Sequence, residues 1–294
     1  MTILLGFPDS ATEARNLASC LNIECEIVEI HQFPDGESRV TLPPSLPRQI
    51  IIYRSLHNPN SKLIELLLCC HTAQQQGVTD IILVSPYLCY MRQDKAFHPG
   101  EAVSQKIIGD FLAGLCTKVI TVDSHLHRIH DLKEAIPVEI AINISASNLL
   151  ADFLSTKLDN PFLIGPDSES EQWVASIAQT HTYDYAIAAK QRHGDREVTI
   201  RLPVLDIEGR DVVITDDMIS TGQTIMQTAQ QVQLLGARSI QCLVSHALCS
   251  EDILLAMQQH GIKHLWSTDS IPHSSNAIRL DELLAKTLTP YLAA

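Results

Sequence analysis

The sequence of 294 residues has no apolar stretch long enough to span a membrane and carries little positive charge. Its 34 acidic side chains outnumber 21 basic ones, which gives a formal net charge of −13 at pH 7. Nucleic acids and anionic membranes bind clustered cations, so this balance argues against both as partners. Any affinity for phosphate must therefore be local.

Cysteine is present, but without the spacing of a metal or redox site. The eight cysteines are scattered and include no CxxC pair, so the sequence signals neither zinc binding nor a dithiol motif. We interpret them as buried, reduced thiols. The first apolar residues, 2–6, suit a short strand and lack a basic leader region, so we predict a cytoplasmic protein.

One stretch, residues 212–224, joins an apolar strand to two carboxylates and a hydroxyl-rich loop. Residues 212–215 suit a strand that is buried on both faces of a parallel sheet, and apolar side chains at helical spacing begin at Ile225. The pattern predicts that Asp216 and Asp217 lie at the carboxyl end of a strand. Ligands of open α/β sheets bind at that end.

The loop after the two acids favours a sugar phosphate. A helix N-terminus attracts anions, and small hydroxyl side chains keep the turn compact while they donate hydrogen bonds. The two carboxylates could then reach vicinal sugar hydroxyls. The alternative is an ordinary capped turn, but capping explains one hydroxyl and not the acid pair. The residues predicted to bind the sugar phosphate are Asp216, Asp217, Ser220, Thr221, Gly222, Gln223 and Thr224.

The two halves of the sequence repeat one pattern. A strand, a polar loop, a helix, a glycine and a second strand occur once before residue 86 and again between residues 211 and 245. In the first copy, Arg54 and Ser55 stand in the place of the acid pair. We therefore predict an α/β protein of two similar domains, 1–143 and 144–294, each a mostly parallel sheet flanked by helices.

Other strand-like segments also end in polar residues. Arg92 has a planar group suited to phosphate and Gln93 could contact a base or sugar, although such a loop alone is more often solvated. His125, with Asp123, could ligate Mg²⁺ or contact phosphate, and a satisfied surface histidine is the alternative. Asp167 ends another strand just before a helix, which predicts a nearby metal or phosphate.

Two cations, Lys190 and Arg192, follow a strand of small residues and lead into a polar segment. A loop of this kind can close over a polyphosphate and place positive charge where negative charge develops during reaction. We predict a polar, mobile loop here.

Taken in order, these segments resemble the ribose-phosphate diphosphokinase (PRPP synthetase) family over almost the whole chain. Residues 212–224 resemble its PRPP-binding motif, which phosphoribosyltransferases share. Residues 33–37 resemble its adenine-contacting loop, and residues 92–94 resemble its ATP-binding segment. The less basic segment 95–101 is similar to that of archaeal-type members. The family resemblance implies two domains of the type I phosphoribosyltransferase fold, with ATP-binding loops in the first and ribose 5-phosphate and pyrophosphate loops in the second.

The resemblance also implies roles for individual residues. It assigns Mg²⁺ binding to His125 and Asp167 and catalysis to Lys190 and Arg192. It assigns ATP binding to Phe33, Asp35, Glu37, Arg92, Gln93 and Asp94. One departure is the segment Ser168–Glu171, where the family usually has glycines.

The activity implied by the family is transfer of the diphosphoryl group of ATP to the 1-hydroxyl of ribose 5-phosphate, giving PRPP and AMP. A homo-oligomer built from dimers is implied as well. Two alternatives stay open. A PRPP-consuming phosphoribosyltransferase would share the second-half loop but would not need the ATP segments, and a catalytically silent regulatory homologue would bind nucleotide without releasing AMP.

Overall fold

The computed structural model describes residues 2–126, 128–193 and 197–292, and it describes the side chains of these except at 190–193 and 197–200. In the first part of the chain the strands are β1 (Thr2–Gly6), β2 (Glu24–Ile27), β3 (Glu29–Gln32), β4 (Ser38–Thr41), β5 (Gln49–Tyr53), β6 (Asp80–Val84), β7 (Lys118–Val122) and β8 (Ile140–Ile144). Its helices are α1 (Ala11–Leu21), α2 (Pro59–Gln75), α3 (Ser104–Ala113) and α4 (Leu132–Ala135).

The second part of the chain repeats this alternation of strands and helices. Its strands are β9 (Phe162–Gly165), β10 (Tyr185–Ile187), β11 (Ala189–His193), β12 (Glu197–Arg201), β13 (Asp211–Ile219), β14 (Ser239–Ala247), β15 (Ile262–Thr268) and β16 (Asn276–Ile278). Its helices are α5 (Ser147–Ser155), α6 (Glu171–His181), α7 (Gln223–Leu234) and α8 (Glu251–Gln259), and the chain continues into α9 (Asp281–Leu288).

Both parts form a parallel sheet with the same topology. The first sheet has the strand order β2-β1-β5-β6-β7-β8, and the second has the order β10-β9-β13-β14-β15-β16. Numbered within each sheet, both orders read 2-1-3-4-5-6. In both, a separate antiparallel hairpin lies in the chain between the second and third strands, β3–β4 in one and β11–β12 in the other. The predicted pair of similar parallel-sheet domains is therefore confirmed.

The third strand of each sheet shows why the sequence folds in this way. Ile50–Ile52 in β5 and Val212–Ile214 in β13 are fully buried. A run of consecutive apolar, mostly β-branched residues suits a parallel strand that is covered by helices on both faces. Across the described ranges, no helix combines the length and apolar character required to cross a bilayer.

The chain divides into two compact units, Met1–Ile144 with Leu280–Ala294, and Ser145–Arg279. The sequence placed the boundary between residues 143 and 144 and assigned the C-terminal segment to the second domain. The segment from Leu280 instead belongs to the first unit because α9 packs against α1. Leu284 and Leu288 of this helix are buried, and the carbonyl of Tyr291 accepts a hydrogen bond of 2.9 Å from the Gln49 amide.

Gly109 in α3 is required by a close helix contact. A Cβ at this position would lie 1.8 Å from the backbone oxygen of Ala135, at the end of α4. We predict that Gly109→Ala lowers the unfolding midpoint, since overpacking typically costs ~1–3 kcal/mol. The matched control is Gly114→Ala, just past the same helix, where the nearest atom would be 3.4 Å away. Denaturant unfolding should separate the two variants, and equal midpoints would contradict the close contact.

Candidate active site

The acid pair lies at the carboxyl end of the second sheet, inside a longer strand than predicted. We expected the strand to end at residue 215, but β13 continues to Ile219 because β14 is equally long and pairs with it. Asp216 is registered with Val244, and Met218 with His246. The acids are therefore held by backbone pairing instead of lying in a free loop.

The carboxylates of Asp167, Asp216 and Asp217 belong to this edge of the sheet. Burial raises the pKa of Asp216 well above its ordinary range, and the neighbouring carboxylates of Asp217 and Asp167 raise it further. Asp217 is 3% exposed, and its backbone N–H donates a 2.9 Å hydrogen bond to the Asp216 carboxylate. Asp167 joins the group because β9 is the sheet neighbour of β13. The group concentrates negative charge in a place where a sugar hydroxyl or a cation would be attracted.

The predicted sugar-phosphate loop follows directly. Residues 220–222 connect β13 to α7, which begins at Gln223 as the spacing predicted. Gly222 has φ +68° at the helix N-cap, a left-handed conformation that favours glycine. Ser220, Thr221 and Thr224 thus lie at the start of a helix of 12 residues. Backbone N–H groups at such a start favour an anion.

The Asp167 turn is compact and its extra acids face solvent. Gly165 ends β9 where a Cβ would lie 2.4 Å from the Ser170 hydroxyl, so the turn needs glycine there. Asp167 caps a short 3-10 helix, Ser168–Ser170, by accepting a hydrogen bond from the Glu169 N–H at 3.1 Å. The side chains of Glu169 and Glu171 are exposed, so solvent screens the two additional charges.

A buried histidine that we did not predict lies beside this edge. His246 at the end of β14 is 1% exposed, and its Nδ1 lies 2.8 Å from the Ser270 hydroxyl. The hydroxyls of Ser270 and Thr268 both donate to the Ser245 carbonyl. From sequence alone, a histidine inside an apolar strand that lines a site cannot be distinguished from an ordinary core histidine.

Lys190 and Arg192 lie on β11, where the sequence predicted a polar loop. The backbone there forms an antiparallel hairpin in which Lys190 is registered with Ile200 and Arg192 with Val198. The side chains of both cations lie outside the described part of the structure, as do residues 194–196. The catalytic role of these two residues stays a prediction.

In the first unit, the predicted ATP residues of segment 33–37 form the tip of the β3–β4 hairpin. The tip is closed by a 2.8 Å backbone hydrogen bond from Phe33 to Glu37, and Gly36 turns the chain with φ +93°. Asp35 accepts a hydrogen bond from the Glu37 N–H at 3.2 Å. The Phe33 ring is 39% exposed and meets His31 edge to face, with centroids 4.8 Å apart. The tip therefore presents an aromatic face and two acids to solvent.

The segment 92–94 follows β6 and is partly engaged by the protein itself. Arg92 is exposed and Gln93 is half-buried. The Asp94 side chain is 4% exposed and pairs with the Arg128 guanidinium at 2.5 Å. Asp94 therefore holds the loop in place, whereas the Arg92 side chain is exposed.

His125 lies beyond β7 at the carboxyl end of the first sheet. Asp123 turns the chain there with φ +38°, and its N–H bonds the Ile144 carbonyl at 2.8 Å. The Ser124 N–H bonds the Asn143 side chain at 2.8 Å. These contacts leave His125 half-buried in the loop that follows. His125 belongs to the first unit and Asp167 to the second. Their predicted metal role stays a prediction.

The first unit has a charged cluster at the equivalent strand ends, and sequence reasoning missed it. Pro8-Asp9-Ser10 after β1 repeats Pro166-Asp167-Ser168 after β9. The first tripeptide forms a short 3-10 helix, and the second leads into one. Lys62 Nζ lies 2.6 Å from the Asp9 carboxylate, and the Arg54 guanidinium lies over the Phe7 ring at 4.0 Å. The repeated tripeptide was the available signal. Protein cations pair with Asp9 at this edge in the first unit, whereas three acids share the edge of the second.

Two parallel sheets of one topology, one of them with an acidic strand end beside a hydroxyl-rich helix start, define a protein of the phosphoribosyltransferase fold. Residues 3–115 match the model described as the N-terminal domain of ribose phosphate pyrophosphokinase, and residues 130–269 match the phosphoribosyl transferase domain. The chain belongs to the ribose-phosphate pyrophosphokinase family.

Individual relatives agree over nearly full length. A ribose-phosphate pyrophosphokinase of Methanopyrus kandleri is 32% identical, covering 92% of this chain and 93% of its own. Ribose-phosphate pyrophosphokinase 2 of Archaeoglobus fulgidus is 31% identical, covering 97% and 99%. The crystal structure of phosphoribosylpyrophosphate synthetase from Mycobacterium smegmatis shares the fold, with a TM-score of 0.86, 20% identity and coverage of 99% and 98%. The predicted resemblance, including its archaeal character, is confirmed.

The raised pKa of Asp216 has a defined effect on stability. A carboxyl that holds its proton more tightly in the folded than in the unfolded protein loses stability as pH rises above the unfolded pKa. We predict that Asp216→Asn raises the unfolding midpoint at pH 7, by about 2–4 °C if ~1 kcal/mol is recovered. Thermal unfolding of both proteins between pH 4 and 8 checks this. An Asp206→Asn variant, at an exposed acid outside the group, should leave the pH dependence unchanged.

Proposed function

We propose that the chain is a ribose-phosphate diphosphokinase that transfers the diphosphoryl group of ATP to the 1-hydroxyl of ribose 5-phosphate. The observation that carries this proposal is the group of Asp167, Asp216 and Asp217 beside the hydroxyl-rich start of α7. A match to the N-terminal pyrophosphokinase domain over residues 3–115 accompanies it. A PRPP-consuming phosphoribosyltransferase would not need the domain that this N-terminal match describes.

The second unit would hold the sugar phosphate. Asp216 and Asp217 would accept hydrogen bonds from the 2- and 3-hydroxyls, which a carboxylate accepts better than a neutral group. The 5-phosphate would lie at the N-terminus of α7, against the loop of Ser220–Thr224. Two carboxylates on a rigid strand fix the ring, so the 1-hydroxyl is oriented before ATP reacts. Positioning of this kind contributes several kcal/mol to catalysis, on the order of 7–11 in favourable cases.

The first unit would hold ATP. The exposed Phe33 ring suits stacking on adenine, and Arg92 suits a phosphate. In the reaction, the 1-hydroxyl oxygen attacks the β-phosphorus of ATP. The bond between the β-phosphorus and the oxygen that bridges it to the α-phosphate breaks, and AMP leaves. Lys190 and Arg192 would stabilise the negative charge that develops on the transferred group.

Mg²⁺ is the expected cofactor, and Asp167 and His125 are each proposed as a Mg²⁺ ligand of their own unit. The repulsion among Asp167, Asp216 and Asp217 fits an oxygen-preferring cation, since a divalent ion would relieve it. Within the part of the chain that the structure describes, no three His, Cys, Asp or Glu side chains are grouped as a metal site. Mg²⁺ would therefore take further ligands from substrate phosphates and water. Bound there, it would neutralise the polyphosphate.

The assembly and location are also proposals. Ile64 and Leu68 are exposed one turn apart on α2, which suits a homo-oligomer built from dimers. Sedimentation of the purified protein tests this, and a monomer at assay concentration would contradict it.

All eight cysteines are free thiols, although Cys20 is exposed and Cys25 half-buried, contrary to our expectation that all are buried. Free thiols are consistent with a cytoplasmic location.

We predict stoichiometric AMP and PRPP from ATP, ribose 5-phosphate and Mg²⁺. Lys190→Ala should lower kcat by about 10²–10³-fold, the usual loss when one donor to developing charge is removed. Lys157→Ala, which changes a lysine in the turn after α5 of the same unit, is the control and should keep full activity. Product analysis by chromatography measures both nucleotides.

A wild-type protein that binds ATP but never releases AMP would overturn the enzymatic function. That result would favour the silent regulatory homologue. Release of pyrophosphate from PRPP with a nucleobase, without ATP, would favour a phosphoribosyltransferase.

A further inference from the structure

The hairpin that carries the predicted ATP residues is tied to the first unit by a side-chain hydrogen bond. The β3–β4 hairpin pairs only within itself in the described sheets and is not a member of the six-stranded sheet. Ser38 is the first residue of β4, and its hydroxyl donates to Glu65 Oε1 on α2 at 2.8 Å. Ser38 is also registered with Gln32, so these two residues flank the turn 33–37. The bond therefore acts at the base of the exposed tip.

Glu65 is itself fixed by a buried cation. It is 7% exposed, and its second carboxylate oxygen accepts from Arg54 Nη2 at 2.5 Å. A charge-assisted hydrogen bond of this kind is short and directional. One carboxylate oxygen of Glu65 thus bonds the hairpin, and the other bonds Arg54 at the end of β5.

Arg54 connects the pair to the strand ends. It follows β5 directly and is 4% exposed, and its Nη1 donates to the Lys62 carbonyl at 3.2 Å. Its guanidinium lies over the Phe7 ring, 4.0 Å from the centroid, just beyond β1. The position of Arg54 is therefore set by two neighbouring strands and by the first turn of α2.

A second ion pair balances the charge of the cluster. Lys62 Nζ lies 2.6 Å from the Asp9 carboxylate and donates to the Ser55 carbonyl at 2.9 Å. Arg54, Lys62 and Glu65 are thus buried, and the exposed residue Asp9 pairs with the two cations from the surface. Removal of one buried member of such a group leaves an uncompensated buried charge, which is strongly destabilising.

We propose that Ser38 and the Glu65–Arg54 pair are positioning residues that set ATP affinity without contacting ATP. The chain of contacts runs from the strand ends through Arg54 and Glu65 to Ser38, and it fixes the orientation of the tip that presents Phe33, Asp35 and Glu37. This inference rests on the proposed function, because the tip binds ATP only in that assignment. The cations that occupy the first sheet's edge thereby acquire a role in nucleotide binding.

The test is a comparison of Michaelis constants. Ser38→Ala should raise the KM for ATP about tenfold, the factor expected from one lost hydrogen bond to a charged group. The KM for ribose 5-phosphate should change less than about twofold. Ser38→Thr retains a hydroxyl and should restore the wild-type KM for ATP. Thr41→Ala removes a hydroxyl from an exposed position on the same strand and is the matched control.

Glu65→Gln provides a second variant. It keeps the shape and an acceptor for Ser38 but removes the negative charge opposite Arg54, so its KM for ATP should rise at least as much. Its unfolding midpoint is measured beside the kinetics, because this buried substitution also lowers stability. Ser38→Ala, at a half-buried position, decides the question if Glu65→Gln does not fold.

The outcomes separate this inference from the proposed function. An unchanged KM for ATP in Ser38→Ala, or an equal rise in both Michaelis constants, would overturn the positioning role. ATP binding measured by calorimetry covers the case in which the wild type forms no AMP. Weaker ATP binding by Ser38→Ala would then support the positioning role while the diphosphokinase activity fails. Equal binding, or no binding by the wild type, would overturn the role as well.

Discussion

The pairing of β13 with β9 and β14 is the interaction on which the acidic edge of Asp167, Asp216 and Asp217 depends. Neighbouring parallel strands end at one edge of a sheet, so β9 and β13 bring these carboxylates together. The backbone pairing of β13 with β14 holds the acid pair in place despite burial and like charge. Stability of the surrounding sheet is therefore used to keep a site that would not form by itself, as is common at functional sites.

The first unit shows the same edge without this strain. There the repeated Pro-Asp-Ser turn supplies Asp9, but Lys62 and Arg54 neutralise the edge from within the protein. Two sheets of the same topology thus carry different charges at their equivalent strand ends. The acidic edge attracts a ligand, whereas the balanced edge supports the β3–β4 hairpin through Glu65.

Much of this architecture could be predicted because local pattern and tertiary structure agree. The apolar run at Val212–Ile214 and the start of α7 at Gln223 are both local signals, and both lie where the pattern indicated. Other features depend on partners far away in sequence. The extension of β13 to Ile219 needs the length of β14, and the placement of α9 needs α1. The network from Ser38 to Arg54 joins residues from three separate segments, so no local sequence pattern predicted it.

The shared position of the two hairpins has an evolutionary reading. Both lie between the second and third strands of a sheet whose order stays the same, although their sequences differ. The first carries the residues that resemble an adenine loop, and the second carries Lys190 and Arg192. The strand order is thus independent of what the hairpin contains. Duplication of one ancestral domain would have supplied two equivalent appendages, free to diverge toward different chemistry while the sheets that bear them were conserved.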